Sequence, residues 1–269
     1  MKTKTVHFLT ASLLTLFLSS AQAYDAPKVT QTTPSVPKSG IFIGNSFFYY
    51  NNSMHGHVRN LLNAEDPKLP FRGTSVTISG AGLDWHNVEA YFAPNAIGRY
   101  SFVANNEVRF NKNDKLFDIA IMMDCSQCPV HPQLKSVFTE YVKKHGDTVR
   151  KNGADPVLFM SWAYADKPEM TETLADAYIK AGNENNMMVI PAGLAFANSI
   201  AGRKDIDLYV SDKRHPSLAG TYLAAAVTYA SLFKKSPVNN SYTAGLDPEV
   251  AKYLQTVAWN TVKDFYKLP

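Results

Sequence analysis

Three residues of this sequence have the chemistry of a nucleophile and its activating pair. Ser46 follows Gly44 and Asn45 at the end of a short apolar run. A sharp strand-to-helix turn there would expose its hydroxyl and aim its backbone N–H at a developing anion. Asp212 and His215 stand three residues apart in Asp212-Lys213-Arg214-His215-Pro216-Ser217, just ahead of a long apolar stretch. A carboxylate at that spacing can reach the imidazole Nδ1, fix the tautomer and leave Nε2 as a base, the logic of a Ser-His-Asp triad. Each part also has an ordinary reading, Ser46 as a helix N-cap and His215 as a surface residue at a capped helix start. Of the remaining histidines, His7, His55, His57, His86, His131 and His145 lack the arrangement.

Cys125 and Cys128 form a second constellation, Cys-Ser-Gln-Cys-Pro. In an oxidising compartment such a pair is expected to close a local disulfide. Zinc needs about four ligands, and two Cys with at most His131 fall short, so no metal is expected. A thioredoxin-like redox role is the competing use of a CxxC motif.

Positioning these groups requires strands that end where they begin. Short apolar runs at 40–44, 74–79, 117–123, 156–162 and 187–191 read as buried strands. Helical patterns separate and follow them, one after Ser46 ending near Leu62, then 134–151, 170–185, 217–233 and 248–266. Alternating strands and helices predict βαβ units and a parallel sheet covered on both faces, a flavodoxin-like doubly wound α/β/α domain of about five strands. One domain over 39–269 is expected, with an aromatic- and Asn-rich insertion at 84–116, after a polar, proline-containing leader at 24–38.

The first 23 residues read as a secretory signal. Lys2 and Lys4 supply the positive start, 8–18 the apolar core, and Ala21-Gln22-Ala23 the cleavage site. The apolar run is short of the ~20 residues of a membrane span, and no Cys follows it, so an exported protein (periplasmic or secreted) without a membrane anchor is expected. The whole chain carries 27 Lys and Arg against 23 Asp and Glu, a net charge of +4. With no basic cluster longer than two residues, nucleic-acid binding is disfavoured.

Taken together, Gly44-Asn45-Ser46, the cluster Ser79-Gly80-Ala81-Gly82 and Asp212-x-x-His215 resemble, in order, the motifs of the SGNH (GDSL-like) hydrolases. The resemblance runs from about Gly40 to Phe233, and Ser236-Pro237 with the final helix is similar to a divergent branch that carries GNS in place of GDS. It implies a three-layer α/β/α domain and metal-free, cofactor-free hydrolysis of an ester through a covalent acyl-enzyme. Ser46 would be the nucleophile, His215 the base and Asp212 the orienting acid. The implied oxyanion donors are the Ser46 N–H, a glycine N–H (Gly82, deeper in its loop than Gly80) and a side-chain amide after the third strand. The family has Asn at that last place, and this chain has Gln127, with Ser126 as the alternative donor. Gln offers the same amide on a stem one methylene longer. Asn45, Gly80, Trp85 and His86, with Tyr91 and Phe92, are candidates to line a substrate pocket. The expected substrate is a small ester or acylated glycan. The alternatives are a catalytically weak ligand- or glycan-binding protein on the same scaffold and the CxxC redox protein.

Overall fold

The computed structural model describes residues 24–94, 96–97, 100–110 and 115–269. The expected signal segment lies outside the described residues. Strand β1 (Ser39–Gly44) leads into a single-turn helix α1 (Ser46–Tyr49), then α2 (Met54–Glu65) and β2 (Arg72–Thr77). The aromatic-rich segment holds a 3₁₀ turn at Leu83–Trp85, α3 (Val88–Phe92) and an antiparallel hairpin, β3 (Tyr100–Phe102) with β4 (Val108–Phe110). Then follow β5 (Ile119–Met122), α4 (Lys135–Lys151), β6 (Asp155–Phe159), α5 (Met170–Glu184), β7 (Met188–Ile190), α6 (Ala192–Gly202), α7 (Leu218–Phe233) and α8 (Pro248–Tyr266).

The five long-range strands form one parallel sheet in the order β2-β1-β5-β6-β7. Ile41, Phe42 and Ile43 of β1 and Ile119, Ala120 and Ile121 of β5 are wholly buried, as strands covered on both faces must be. The order runs outward in one direction from β1 to β2 and in the other from β5 to β7. Right-handed crossovers therefore place α2 on one face and α4 and α5 on the other. Helix α7 packs against α2, α6 and α8. From Gly220 to Phe233 it is buried all round, which explains a helix with no polar face.

The sequence expectations hold for the sheet, with strand ends displaced by up to a few residues. Three features differ. The expected helix after Ser46 is two helices, because Asn51, Asn52 and Ser53 all have positive φ (51°, 66° and 68°) and break it. Helix α6 was not expected. Its sequence shows no 3.6-residue alternation because its exposed end is also small and apolar (Ala201 and Gly202), while a Cβ on buried Gly193 would lie 2.3 Å from the Ser161 carbonyl. The hairpin β3–β4 was not read either. Among the described residues no helix is long and apolar enough to cross a membrane.

Candidate active site

Strand order reverses between β1 and β5, so the loops leaving their carboxyl ends diverge and open a crevice. Gly44 ends β1 under tight packing, since a Cβ there would stand 2.9 Å from the Phe48 ring and 3.2 Å from Met123. The next residue, Asn45, is the N-cap of α1, and its Oδ1 accepts from the Phe47 N–H at 3.1 Å. Ser46 is thus freed from capping. As the first residue of the helix its own N–H has no intrahelical acceptor.

The histidine reaches this serine from the other end of the chain. A turn around Lys213 (φ 64°) is closed by Val210 N–H donating to the His215 carbonyl at 2.9 Å and by a bridge between Tyr209 and Pro216. Ser217 then caps α7 by accepting from the Gly220 N–H. The turn is held from below by Trp162, whose indole N–H donates to the Arg214 carbonyl at 3.0 Å. His215 Nε2 lies 2.8 Å from Ser46 Oγ, and Nδ1 lies 2.5 Å from Asp212 Oδ2. Asp212 Oδ1 also accepts from the backbone N–H groups of Arg214 and His215, both at 2.9 Å. Partial burial raises the Asp212 carboxyl, but the His215 hydrogen bond and these two N–H groups outweigh it and hold the acid down at about 2. It is therefore a fixed negative charge across the neutral pH range. An ionised Asp212 accepts from Nδ1–H, which leaves Nε2 to accept the Ser46 proton.

The glycine loop lies beside the nucleophile. Asn45 Nδ2 donates to the Ala81 carbonyl at 3.0 Å and to the Asp124 carbonyl at 3.2 Å, tying together the loops after β1, β2 and β5. Gly82 is buried, and a Cβ on it would come within 2.6 Å of Asp84 Oδ1 and 2.8 Å of Asp124 Oδ1. Gly80 is exposed, at φ 72° and with open space around it. Of the two, only Gly82 is enclosed by the loops that surround the nucleophile. Cys125 and Cys128 are joined in a disulfide. It leaves no thiolate for a metal, although Asp124 stands beside it. Gln127 is half-buried with its side chain making no hydrogen bond among the described residues, while its carbonyl accepts from Val130 and His131 N–H. The Ser126 hydroxyl is paired with Tyr164 Oη at 2.7 Å.

Several pocket expectations change. His86 is buried, with Nε2 on the Gly44 carbonyl at 3.0 Å and Nδ1 on Tyr91 Oη at 3.1 Å. Burial keeps its pKa below the ordinary histidine value, so it serves as a neutral brace of the insertion. Trp85 is 61% exposed and, with His86, borders a cleft of about 310 Å³ shared with Tyr141, Lys144 and His145 of α4, away from Ser46. Asn45 is 4% exposed and spends its amide on the loops, and Phe92 is packed edge-on against Phe117.

Two residues of the site escaped sequence reading. Asp124 is buried at the end of β5, and its Oδ1 accepts from the N–H groups of Leu83 and Cys125, each at 2.8 Å. Burial pushes its carboxyl up to about 6, against those two hydrogen bonds and with a further rise from Asp84. An acid closing an otherwise apolar strand was the available signal. Tyr50 stacks flat on His215, and nothing local in the sequence announced it.

No family model and no curated protein matches the sequence. Solved structures do match in fold. A DUF4886 family protein from Bacteroides uniformis superposes with a TM-score of 0.57 at 19% identity, over 86% of this chain and 96% of that one. A candidate SGNH hydrolase from Slackia heliotrinireducens gives 0.53 at 22% identity, over 72% and 98%. This is an SGNH-hydrolase fold. A catalytic mutant of an acetylxylan esterase from Geobacillus stearothermophilus shares the SGNH fold at a TM-score of 0.53 and 14% identity, over 72% of this chain and 94% of that one.

Proposed function

We propose that the protein is an exported serine ester hydrolase that removes an acetyl or short acyl group through a covalent acyl-enzyme. The observation that carries this reading is the unbroken relay from Ser46 Oγ through His215 to Asp212, at 2.8 and 2.5 Å. Ser46 Oγ attacks the ester carbonyl carbon as its proton passes to His215 Nε2. The C=O π pair moves onto oxygen, where the N–H groups of Ser46 and Gly82 and the Gln127 amide are the assigned donors. Collapse expels the alcohol, protonated by His215, and water repeats the sequence to release the acid and restore Ser46.

The esterase named among the fold neighbours acts on an acetylated polysaccharide, which supports an acylated glycan as the substrate class here. Export rests on the N-terminal signal pattern and is consistent with the Cys125–Cys128 disulfide. The test is a screen of the mature protein on nitrophenyl esters of increasing chain length beside acetylated polysaccharides, with Ser46→Ala as control. Wild-type turnover that disappears in Ser46→Ala, with a serine-directed organophosphonate labelling Ser46, supports the proposal. Ester turnover surviving in the alanine variant removes Ser46 as nucleophile.

A further inference from the structure

We propose that Tyr50 is a positioning residue for the base, its ring capping the His215 imidazole and stabilising the imidazolium formed when the base takes the Ser46 proton. This rests on the triad reading above. The two rings lie 4.4 Å apart between centroids and 10° from parallel. Phe47 meets the imidazole edge-on, at 5.5 Å and 80°. The base is therefore held by aromatic groups on two sides, with Asp212 at Nδ1 and Ser46 at Nε2.

The stacking is anchored by more than the rings. Tyr50 closes α1, its N–H donating to the Ser46 carbonyl at 3.1 Å, so the capping ring and the nucleophile share one turn. Immediately after it, Asn51, Asn52 and Ser53 hold positive φ, a backbone that costs free energy for any residue with a Cβ and persists only where the surroundings enforce it. Here they do. Asn51 Nδ2 donates to the Pro216 carbonyl at 3.0 Å and to Thr221 Oγ1 at 2.8 Å, while its own carbonyl is paired with His57 Nε2 at 2.7 Å. Asn51 thus fastens the residue after Tyr50 to the residue after His215. Tyr49 extends the cap, its ring lying against that of Tyr50 and its hydroxyl on Ser79 Oγ.

A base that takes the Ser46 proton passes from neutral imidazole to imidazolium in the transition state. An aromatic face attracts a cation more than a neutral ring, so this contact strengthens along the reaction and acts on kcat. Among the described residues, the charged or titratable groups in contact with the imidazole are Asp212 and Tyr50. Neighbouring charges are drawn elsewhere, Arg214 onto the Tyr164 ring and Lys213 toward Asp166.

Tyr50→Leu should lower kcat about fivefold with KM nearly unchanged, the size expected for a half-buried cation–π contact. It should also move the acid limb of the pH–rate profile to lower pH, because an uncapped imidazolium gives up its proton more readily. Tyr50→Phe, which keeps the π face, should recover most of both effects, and Tyr50→Trp should fall on the Tyr side of Leu. The decisive measurement needs no turnover. In a Ser46→Ala background, the NMR titration of the His215 ring proton should move downward in Tyr50→Leu and return in Tyr50→Phe. If the wild type hydrolyses no ester while this NMR ordering holds, the esterase reading fails and the capping role stands. An unmoved titration in Tyr50→Leu, Phe behaving as Leu, or a loss confined to KM would each overturn the capping role.

Discussion

Replacing Asp124 by Asn separates the energetic cost of the buried carboxyl from the hydrogen bonds it makes. Both N–H groups that reach it, from Leu83 and Cys125, end on the same oxygen, Oδ1. Asn keeps that oxygen, replaces the other by NH₂ and loses the charge. The folded-state value of about 6, against an ordinary 3.8, corresponds to ~3 kcal/mol of differential free energy. The sign follows from proton counting. Below about pH 4 the carboxyl is protonated in folded and unfolded chains alike, and it costs nothing. Between about pH 4 and 6 the unfolded chain ionises first, so the folded state binds more protons and stability falls as pH rises. Above about pH 6 the full penalty is present. Asp124→Asn should therefore gain on the wild type by up to ~3 kcal/mol between pH 4 and 7.5, superimposed on any pH-independent offset from the new NH₂ group. Urea unfolding of both proteins at half-unit pH intervals measures it. A wild-type-to-variant difference that stays flat from pH 4 to 7.5 would refute the assignment of a raised, desolvated carboxyl.

His215→Ala should cost about as much activity as Ser46→Ala, because members of a triad act as a unit, and steady-state kinetics on a nitrophenyl ester reads it. Asp212→Asn should lower kcat by ~10²–10⁴ through the wrong tautomer, with the melting temperature little changed at this exposed turn. Gly82→Ala should lose both activity and about 1–3 kcal/mol of stability, since its Cβ would meet Asp84 and Asp124 at 2.6 and 2.8 Å. Gly80→Ala, with open space around it but φ 72°, should lose stability alone, about 1 kcal/mol, so the pair of variants tests which glycine serves the oxyanion. Reducing the Cys125–Cys128 disulfide should lower kcat by up to about tenfold, a part of the ~10²–10³ that a whole donor is worth, with thiol release followed by mass. Asn45→Asp should destabilise the fold and lower kcat, measured by thermal unfolding alongside turnover, because a carboxylate cannot donate to two carbonyls.

What the sequence disclosed and what it withheld divide along the range of the interactions. The strands β1 and β5 were legible because burial on both faces demands a continuous apolar run, and Asp212 with His215 because three residues on a turn settle their own geometry. The break at Asn51–Ser53 was not, since the apolar spacing of Met54, Val58, Leu61 and Leu62 reads straight back toward Ser46. It is enforced by Asn51 bonding to Pro216 and Thr221, more than 160 residues away. Helix α6 escaped because periodicity reports a helix with two different faces, and α6 has nearly one kind. The brace formed by His86 on the Gly44 carbonyl joins residues 42 apart, and a histidine near a glycine loop carries no local mark of being inside or outside.

The amide at position 45, where the resembling family has a carboxylate, follows from the same long-range bonds. Three loops leave the carboxyl ends of β1, β2 and β5, and at the reversal point their backbone groups have no ladder to join. Two of their carbonyls, on Ala81 and Asp124, point inward to one place. A buried carbonyl left without a donor costs about 1–3 kcal/mol, so that place requires two N–H groups on one side chain. Asn supplies both and still caps α1 with its oxygen. Asp would cap equally well but would set a second negative charge near the carboxyl of Asp124, already pushed up to about 6, and would leave both carbonyls unmet. The amide before the nucleophile is therefore matched to the Ala81 and Asp124 carbonyls, and Asn45 is bonded directly to Asp124. Substitutions at the two positions are not expected to add, because Asn45 bonds Asp124 directly through the Asp124 carbonyl.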